Sequence, residues 1–139
     1  MSETAGGRYR RKRKSRVPAG EDLVMGELLR RGFEAQFSDR KEHLLVVRAG
    51  DSAPKPVQVK TAHSSPWYVR RASFDGGLAN QVTVYVLLGL ERGAKSTRFF
   101  VARNRDLAAR FRQPPTSNPI GFIDAKSMEQ YEDNWEILR

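Results

Sequence analysis

Four polar side chains have types and spacing that could bring them together in a site able to carry chemistry: Glu21, His43, Gln58 and Lys60. Glu21 lies one turn before Val24 on a predicted amphipathic helix, so its carboxylate shares the core-facing stripe of that helix. Gln58 and Lys60 alternate along a predicted strand and therefore point to the same face. His43 begins the preceding predicted strand. A carboxylate among apolar residues is costly unless it meets a cation, a metal ion or hydrogen-bond donors, so the pattern predicts a polar cluster around Glu21.

Each of these residues also has a simpler structural interpretation. Glu21 suits the first turn of a helix, where a negative charge interacts favourably with the helix dipole. Gln58 and Lys60 fit the solvated face of an antiparallel strand, and His43 fits a hydrogen-bonded histidine at a strand end. His63 is interpreted as a loop residue. The residues alone leave both interpretations open.

The sequence here resembles the PD-(D/E)XK, or restriction-endonuclease-like, nuclease superfamily, over about residues 19–102 and more loosely around Tyr131 to Trp135. In that family a helix of the pattern G-E-x-x-V-x-x-x-L-x-x-x-G precedes a hydrophobic strand opened by aspartate. A hairpin then presents (E/Q)-x-K, often followed by Thr. The matching positions here are Gly20, Glu21, Val24, Leu28 and Gly32 on the helix, and Gln58, Lys60 and Thr61 on the strand. The resemblance implies that Mg²⁺ or Mn²⁺ binds between acidic ligands and that Lys60 orients or deprotonates the attacking water.

One position departs from the family pattern. His43 stands where the family has its metal-binding aspartate. Neutral imidazole is a poor Mg²⁺ ligand, although it suits Mn²⁺ or softer ions. Asp39 and Glu42 are the nearby carboxylates that would substitute after a register shift, but Glu42 should point away from His43 if the strand has already begun. We therefore expect the implied metal ligands Glu21, His43 and Gln58 to form a degenerate site, weak or inactive in cleavage.

Most of the positive charge lies in an N-terminal arm. Of the net charge of +9, the arm carries +6 and the rest of the chain only +3. Such a segment cannot bury apolar surface, so residues 1–18 are predicted to be disordered and to bind phosphates by counterion release. The alternatives are a solubilising tail, a nuclear-import signal or a lipid-headgroup patch. The cations of the arm are Arg8, Arg10, Arg11, Lys12, Arg13, Lys14 and Arg16.

A second group of aromatic and basic residues falls in residues 62–81, predicted to be a loop with one helical turn. Trp67, Arg70 and Arg71 are predicted to contact nucleic acid there, because aromatic rings stack on bases and arginines bind phosphates. Tyr68 and Arg40 have the same character. The alternative is that the aromatic residues pack over the sheet edge and the arginines extend to solvent.

The elements that must position these residues form a predicted α/β (α+β) fold with a mixed central sheet flanked by helices. The first helix carries Val24, Met25, Leu28 and Leu29 on one stripe, with Gly32 as its cap. A strand buried on both faces is predicted over 43–48, and it forms a hairpin with the strand over 57–61. A capping box at Ser127 and Gln130 predicts a last helix through Trp135. The remaining predicted elements are strands over 34–37, 81–90, 97–102 and 120–123, a turn at Gly93 and Lys95, and a helix over 105–112 capped by Asn104.

Length and composition narrow the class of protein. At 139 residues the chain has room for one domain, predicted over residues 19–139. The absence of cysteine excludes disulfide scaffolds and thiolate zinc sites. No apolar run reaches the roughly 18 residues of a membrane span, and none follows the charged N-terminus as in a secretory signal. We therefore expect a cytoplasmic protein without a membrane partner.

The predicted function is binding of nucleic acid, DNA more than RNA, by a nuclease-like fold that is compatible with a homodimer. Two alternatives stay open at this point. One is an active Mg²⁺- or Mn²⁺-dependent endonuclease, and the other is a protein-interaction module whose basic arm docks an acidic partner. The chain has neither a nucleophile-elbow pattern nor a glycine-rich loop followed by Lys and Ser or Thr, which argues against serine hydrolases and Walker-type nucleotide binding.

Overall fold

The computed structural model describes residues 19–89, 97–113 and 119–139. The predicted arm, residues 1–18, and the predicted turn at Gly93 and Lys95 lie outside the described residues. No helix in the described part of the chain is long and apolar enough to cross a membrane. The helix and strands in chain order are α1 (Ala19–Arg30), β1 (Glu34–Phe37), β2 (Leu44–Arg48), β3 (Lys55–Ala62), β4 (Trp67–Arg70), β5 (Val82–Leu87), β6 (Arg98–Arg103) and β7 (Ile120–Ile123).

Helix α1 forms as its pattern predicts. Val24 and Leu28 are fully buried on its inner face, while Leu29, predicted on the same stripe, is 54% exposed. The helix ends in a Schellman motif, because Phe33 N–H donates to the carbonyl of Leu28 and Gly32 N–H to that of Leu29. Gly32 supplies the left-handed residue of the motif, with φ of 92°. The cap at Gly32 is therefore confirmed.

A five-stranded sheet packs against α1 in the order β1-β2-β3-β5-β6. Strands β2 and β3 form the predicted antiparallel hairpin, whereas β3 and β5 run parallel. Strand β5 lies between β3 and β6 and is almost entirely buried, as expected for a central strand. Strand β2 buries Leu45 and Val47 but leaves Leu44 and Val46 half-buried. The prediction that this strand is buried on both faces was therefore wrong, because only one of its faces is fully covered.

The sheet separates two hydrophobic cores. The core beneath α1 contains valines of β3 and β5 together with Trp135 and Leu138. On the opposite face, Trp67, Tyr85 and Phe100 form the centre of a second core. Trp67 contacts both of these rings edge-on, with centroid distances of 5.3 Å to Tyr85 and 5.6 Å to Phe100.

The predicted loop over 62–81 contains ordered structure. Strand β4 pairs antiparallel with β7, more than fifty residues along the chain, to form a two-stranded ribbon over the second core. Short 3-10 helices follow at Arg71–Phe74 and Gly76–Asn80. These short helices agree with the helical turn predicted in this segment. The loop prediction was wrong for β4, because this strand is only four residues long and its conformation depends on a distant partner.

The two predicted C-terminal helices are replaced by 3-10 segments at Asn104–Arg110, Ala125–Tyr131 and Trp135–Leu138. Asn104 does not cap the first of these, because its side-chain oxygen accepts from the Thr83 hydroxyl and its amide donates to a backbone carbonyl. The predicted capping box at Ser127 and Gln130 was also wrong. Asp124 caps that segment instead, accepting from Ser127 N–H at 3.0 Å.

Tyr85 carries a buried hydroxyl for which the described residues offer no hydrogen bond, and burial raises its pKa above its usual range. Because the phenol stays neutral in the folded chain, its contribution to stability is present below pH about 10 and is lost as unfolded tyrosine ionises at higher pH. We expect Tyr85→Phe to gain roughly 1 kcal/mol at pH 7, since it removes a buried hydroxyl without a hydrogen-bond partner among the described residues, and to lose stability less steeply above pH 10. Urea unfolding at both pH values measures this, with Tyr68→Phe as a neutral control. A loss of stability at pH 7 would show that the hydroxyl is hydrogen-bonded.

Candidate functional site

An open cleft of about 290 Å³ brings together all four residues that the sequence singled out for chemistry. It lies where α1 begins and where β2 and β3 meet. Both polar and aromatic side chains line it. The residues that line it are Glu21, His43, Gln58, Val59, Lys60, Thr61, Trp67 and Tyr68.

The close approach of α1 to β3 sets the position of Glu21. Gly20 is buried against Thr61, and a Cβ atom at residue 20 would overlap the Thr61 hydroxyl. This contact puts the first turn of α1 against the strand that carries Gln58 and Lys60. Glu21 is consequently only 6% exposed although it begins a helix. The glycine is therefore a steric requirement of the site.

Gly20→Ala is expected to destabilise the chain by about 1–3 kcal/mol, because the added methyl group pushes α1 away from β3. The matched control is Gly26→Ala on the same helix, where an added Cβ meets nothing within 4 Å. That change should stabilise by roughly 0.5–1 kcal/mol through helix propensity. Urea unfolding of both variants measures the difference, and equal effects would show that the contact with Thr61 is not limiting.

His43 occupies the cleft in an unusual backbone conformation. Its φ is 63°, in the left-handed region where Asn, Asp and His are the side chains most often tolerated. Its carbonyl accepts from Val59 N–H at 2.8 Å, which ties it to β3. Its ring Nδ1 donates a hydrogen bond to the Glu21 carboxylate. The polar cluster predicted around Glu21 thus contains an imidazole as the direct partner of the acid.

Glu42 and Asp39, the carboxylates that would substitute for the missing aspartate, lie in different positions relative to the cleft. Glu42 is exposed, and its carboxylate lies 4.0 Å from His43 Nε2. Glu42 was expected to point away from His43 if the strand had already begun. That condition is not met, because β2 begins only at Leu44 and the left-handed backbone of His43 interrupts the alternation of side chains. Asp39 is exposed in the preceding loop and does not line the cleft.

Strand β3 presents Gln58 and Lys60 to the cleft, as their alternation predicts. Val57 and Val59 are buried in the core under α1, so Gln58 and Lys60 share the other face and are half-buried. Burial lowers the pKa of the Lys60 ammonium, and the positive charge of Arg70 lowers it further. Lys60 therefore holds its proton less firmly than an ordinary surface lysine.

Comparison with known proteins identifies the fold of the chain that forms this cleft. No protein-family model matches the chain, and no curated protein matches it. Among solved structures, a Holliday junction resolvase from the archaeal hyperthermophile Archaeoglobus fulgidus is similar over 86% of this chain and 93% of its own, with a TM-score of 0.52 and 18% sequence identity. The chain has the restriction-endonuclease-like fold. The predicted fold class, a mixed sheet with flanking helices, is confirmed.

The restriction-endonuclease-like fold implies Mg²⁺ or Mn²⁺ by resemblance, but the donors in this cleft do not fit Mg²⁺. Mg²⁺ prefers hard oxygen ligands, usually carboxylates together with water. Among the described residues that line the cleft, only Glu21 carries a carboxylate, and His43 already binds it. The parts of the chain that the structure describes contain no cluster of three His, Asp or Glu side chains arranged for a metal ion.

One of the two aromatic residues of the cleft, Trp67, differs from what was predicted for contacts with nucleic acid. Trp67 is 2% exposed and its indole N–H donates to the carbonyl of Val86 at 3.0 Å, so it is a core residue that does not offer a face to a base. Tyr68, the next residue, is 69% exposed and lines the cleft. Arg70 and Arg71 are exposed as expected. Tyr68, which was grouped with these residues from the sequence, is therefore the aromatic side chain of β4 that is open to the cleft.

Proposed function

We propose that the chain is a nucleic-acid-binding protein with a restriction-endonuclease-like fold that is weak or inactive in cleavage. The observation that carries the proposal is the hydrogen bond between Glu21 and His43. A hydrolytic metal site needs several anionic oxygen ligands. Among the described residues that line the cleft, only Glu21 is a carboxylate, and His43 binds it, while the exposed Glu42 carboxylate lies outside that lining, 4.0 Å from His43 Nε2. Within the described part of the chain, the cleft offers fewer acidic ligands than a hydrolytic metal site needs.

The charges near the cleft suit a polyanion better than a divalent cation. Lys60 and Arg70 are close enough for the charge of Arg70 to lower the lysine pKa. With the Glu21 carboxylate bound by His43, Lys60 in the cleft lining and the exposed Arg70 supply positive charge for an approaching phosphate. Backbone phosphates are the ligands that such pairs of cations bind.

DNA is the proposed partner, ahead of RNA. The structural neighbour is named as a resolvase of Holliday junctions, which are DNA, and a binding protein on the same fold would retain surfaces for that polymer. The seven cations of residues 1–18 supply additional affinity for phosphates without sequence preference.

The test is nicking of supercoiled plasmid and cleavage of a four-way DNA junction and single-stranded DNA and RNA, in Mg²⁺ and separately in Mn²⁺. We expect wild type and Lys60→Ala to be equally inert while both shift DNA in a salt-dependent manner. The decisive variant is His43→Asp, because aspartate tolerates the left-handed backbone and restores a second carboxylate beside Glu21. We expect His43→Asp to gain Mg²⁺-dependent nicking that the double variant with Lys60→Ala lacks.

Cleavage by wild type that disappears in Lys60→Ala contradicts the proposal and establishes an active enzyme built around His43. Absence of binding to any nucleic acid at low salt contradicts the other part of the proposal, that the chain binds nucleic acid. Lys60→Ala, purified in parallel, controls for contaminating nuclease in every reaction.

An active endonuclease remains the second candidate, and one observation favours it. The lowered pKa of Lys60 means that a larger fraction of the amine is neutral than in a free lysine, and a neutral amine can accept a proton from water. Mn²⁺ accepts imidazole more readily than Mg²⁺ does. Nicking in Mn²⁺ alone, dependent on both His43 and Lys60, would be its signature.

A further inference from the structure

The β4–β7 ribbon has an outer face whose side chains are not part of the buried core. Its inner positions are filled by Trp67, Val69 and Ile123, all buried. Side chains directly opposite each other in an antiparallel pair share a face. The register therefore puts Tyr68 beside Phe122, and Arg70 beside Ile120, on the outward side.

The outer face of the ribbon is cationic. Arg112 extends it, because its backbone pairs with that of Phe122 through two hydrogen bonds of 2.8 Å. Arg70, Arg71 and Arg112 are exposed, and none forms an ion pair with the residues that the structure describes. Five of the other described arginines do form such pairs, namely Arg30, Arg31, Arg48, Arg98 and Arg139. Neither β4 nor β7 contains an acidic residue, so the charge of this face is uncompensated locally.

Tyr68 joins this face to the cleft. Its ring is 69% exposed at the cleft rim, and within the described ranges its hydroxyl has no hydrogen-bond partner. An aromatic ring held on a strand, with open faces and cations beside it, is the arrangement that binds unpaired bases by stacking while arginines hold the phosphates. In continuous duplex, both faces of each base are covered by its neighbours, so this ring has nothing to stack on.

We infer that the outer face of the β4–β7 ribbon is a docking surface for single-stranded DNA, in which one base stacks on Tyr68 and the flanking phosphates contact Arg70 and Arg112. The strand then leads into the cleft towards Lys60. This inference rests on the proposed function and specifies its substrate class as DNA with an unpaired segment.

The experiment compares the full chain on a single-stranded oligodeoxynucleotide containing 2-aminopurine and on a duplex of the same sequence. Tyr68→Ala is expected to weaken single-strand binding at least about fivefold and to remove the quenching of 2-aminopurine, with duplex binding unchanged. Tyr68→Phe keeps the ring and should retain both properties. Arg70→Ala and Arg112→Ala should each reduce the salt slope for single strands by about 0.7.

The charge-matched control is Arg30→Ala. Arg30 lies at the far end of α1 from the cleft, and Glu27 keeps its second partner Arg31 when Arg30 is removed. This variant should bind both DNA forms with less than a twofold change.

The outcomes separate the two proposals. If wild type binds DNA and Tyr68→Ala leaves the single-strand affinity and the quenching intact, the docking surface is refuted and the proposed function stands. Equal losses on duplex and single strand, or tighter binding of single-stranded RNA than of DNA, also refute it. If wild type binds no nucleic acid at low salt, the proposed function fails and the docking surface fails with it.

Discussion

Trp67→Ala is expected to lower the free energy of unfolding by about 3–5 kcal/mol, the cost of emptying a fully buried aromatic site. The indole contacts Tyr85 and Phe100 edge-on, and its N–H satisfies the carbonyl of Val86. Its loss leaves a cavity in the second core and removes the hydrogen bond to Val86. In a domain whose total stability is roughly 5–15 kcal/mol, the variant should be partly unfolded at 37 °C or close to it. Urea unfolding followed by circular dichroism measures the change.

The neighbouring residue gives the control for this result. Tyr68→Ala removes an equally aromatic side chain that is 69% exposed, so its effect on stability should be within about 0.5 kcal/mol. Trp67→Phe should lie between the two, because it keeps much of the packing and loses the hydrogen bond. Similar losses for Trp67→Ala and Tyr68→Ala would contradict the alternating arrangement of β4.

Replacing the seven cations of residues 1–18 by glutamine is expected to reduce the salt dependence of duplex DNA binding by about six units in the slope of log K against log salt. Each phosphate neutralised by a lysine or arginine contributes roughly 0.9 to that slope. The corresponding loss of affinity at low salt should reach roughly a thousandfold, since non-specific binding depends almost wholly on such contacts. Filter binding or anisotropy over a salt titration measures both quantities.

A variant with the arm residues in shuffled order tests whether charge alone is responsible. Phosphate contacts carry no sequence information, so shuffled and native arms should bind alike. A neutralised arm with an unchanged salt slope would contradict the assignment of these cations to phosphate binding. It would also transfer the whole affinity to the folded domain, which includes the exposed arginines of the ribbon.

The parts of the site that local periodicity describes were predicted well. The helical spacing of Glu21 with Val24 and Leu28, and the alternation of Gln58 and Lys60, are properties of a single element, and the structure places these residues accordingly. Each element needs only its own residues to define which side faces the core. The role of these residues in chemistry stays a prediction.

Features that depend on distant partners or single dihedral angles were not predicted. Strand β4 is defined by pairing with β7, which no pattern within residues 62–81 reveals. The left-handed backbone of His43 ends the alternation on which the orientation of Glu42 was argued. Asp124 and Ser127 both have N-cap character, and the structure uses the first. In each case, tertiary contacts decide between two locally acceptable conformations.

The pairing of β4 with β7 also has a consequence for the order of folding. Trp67 faces Ile123 across a loop of more than fifty residues, and that loop includes β5 and β6 of the central sheet. Closing so long a loop costs entropy that only the assembled second core repays, so the ribbon should form after the sheet. Native-state hydrogen exchange should then show the amides of β4 and β7 opening at lower free energy than those of β5. The surface assigned to DNA would be among the last parts of the chain to fold and among the first to open, and DNA bound there would slow that opening.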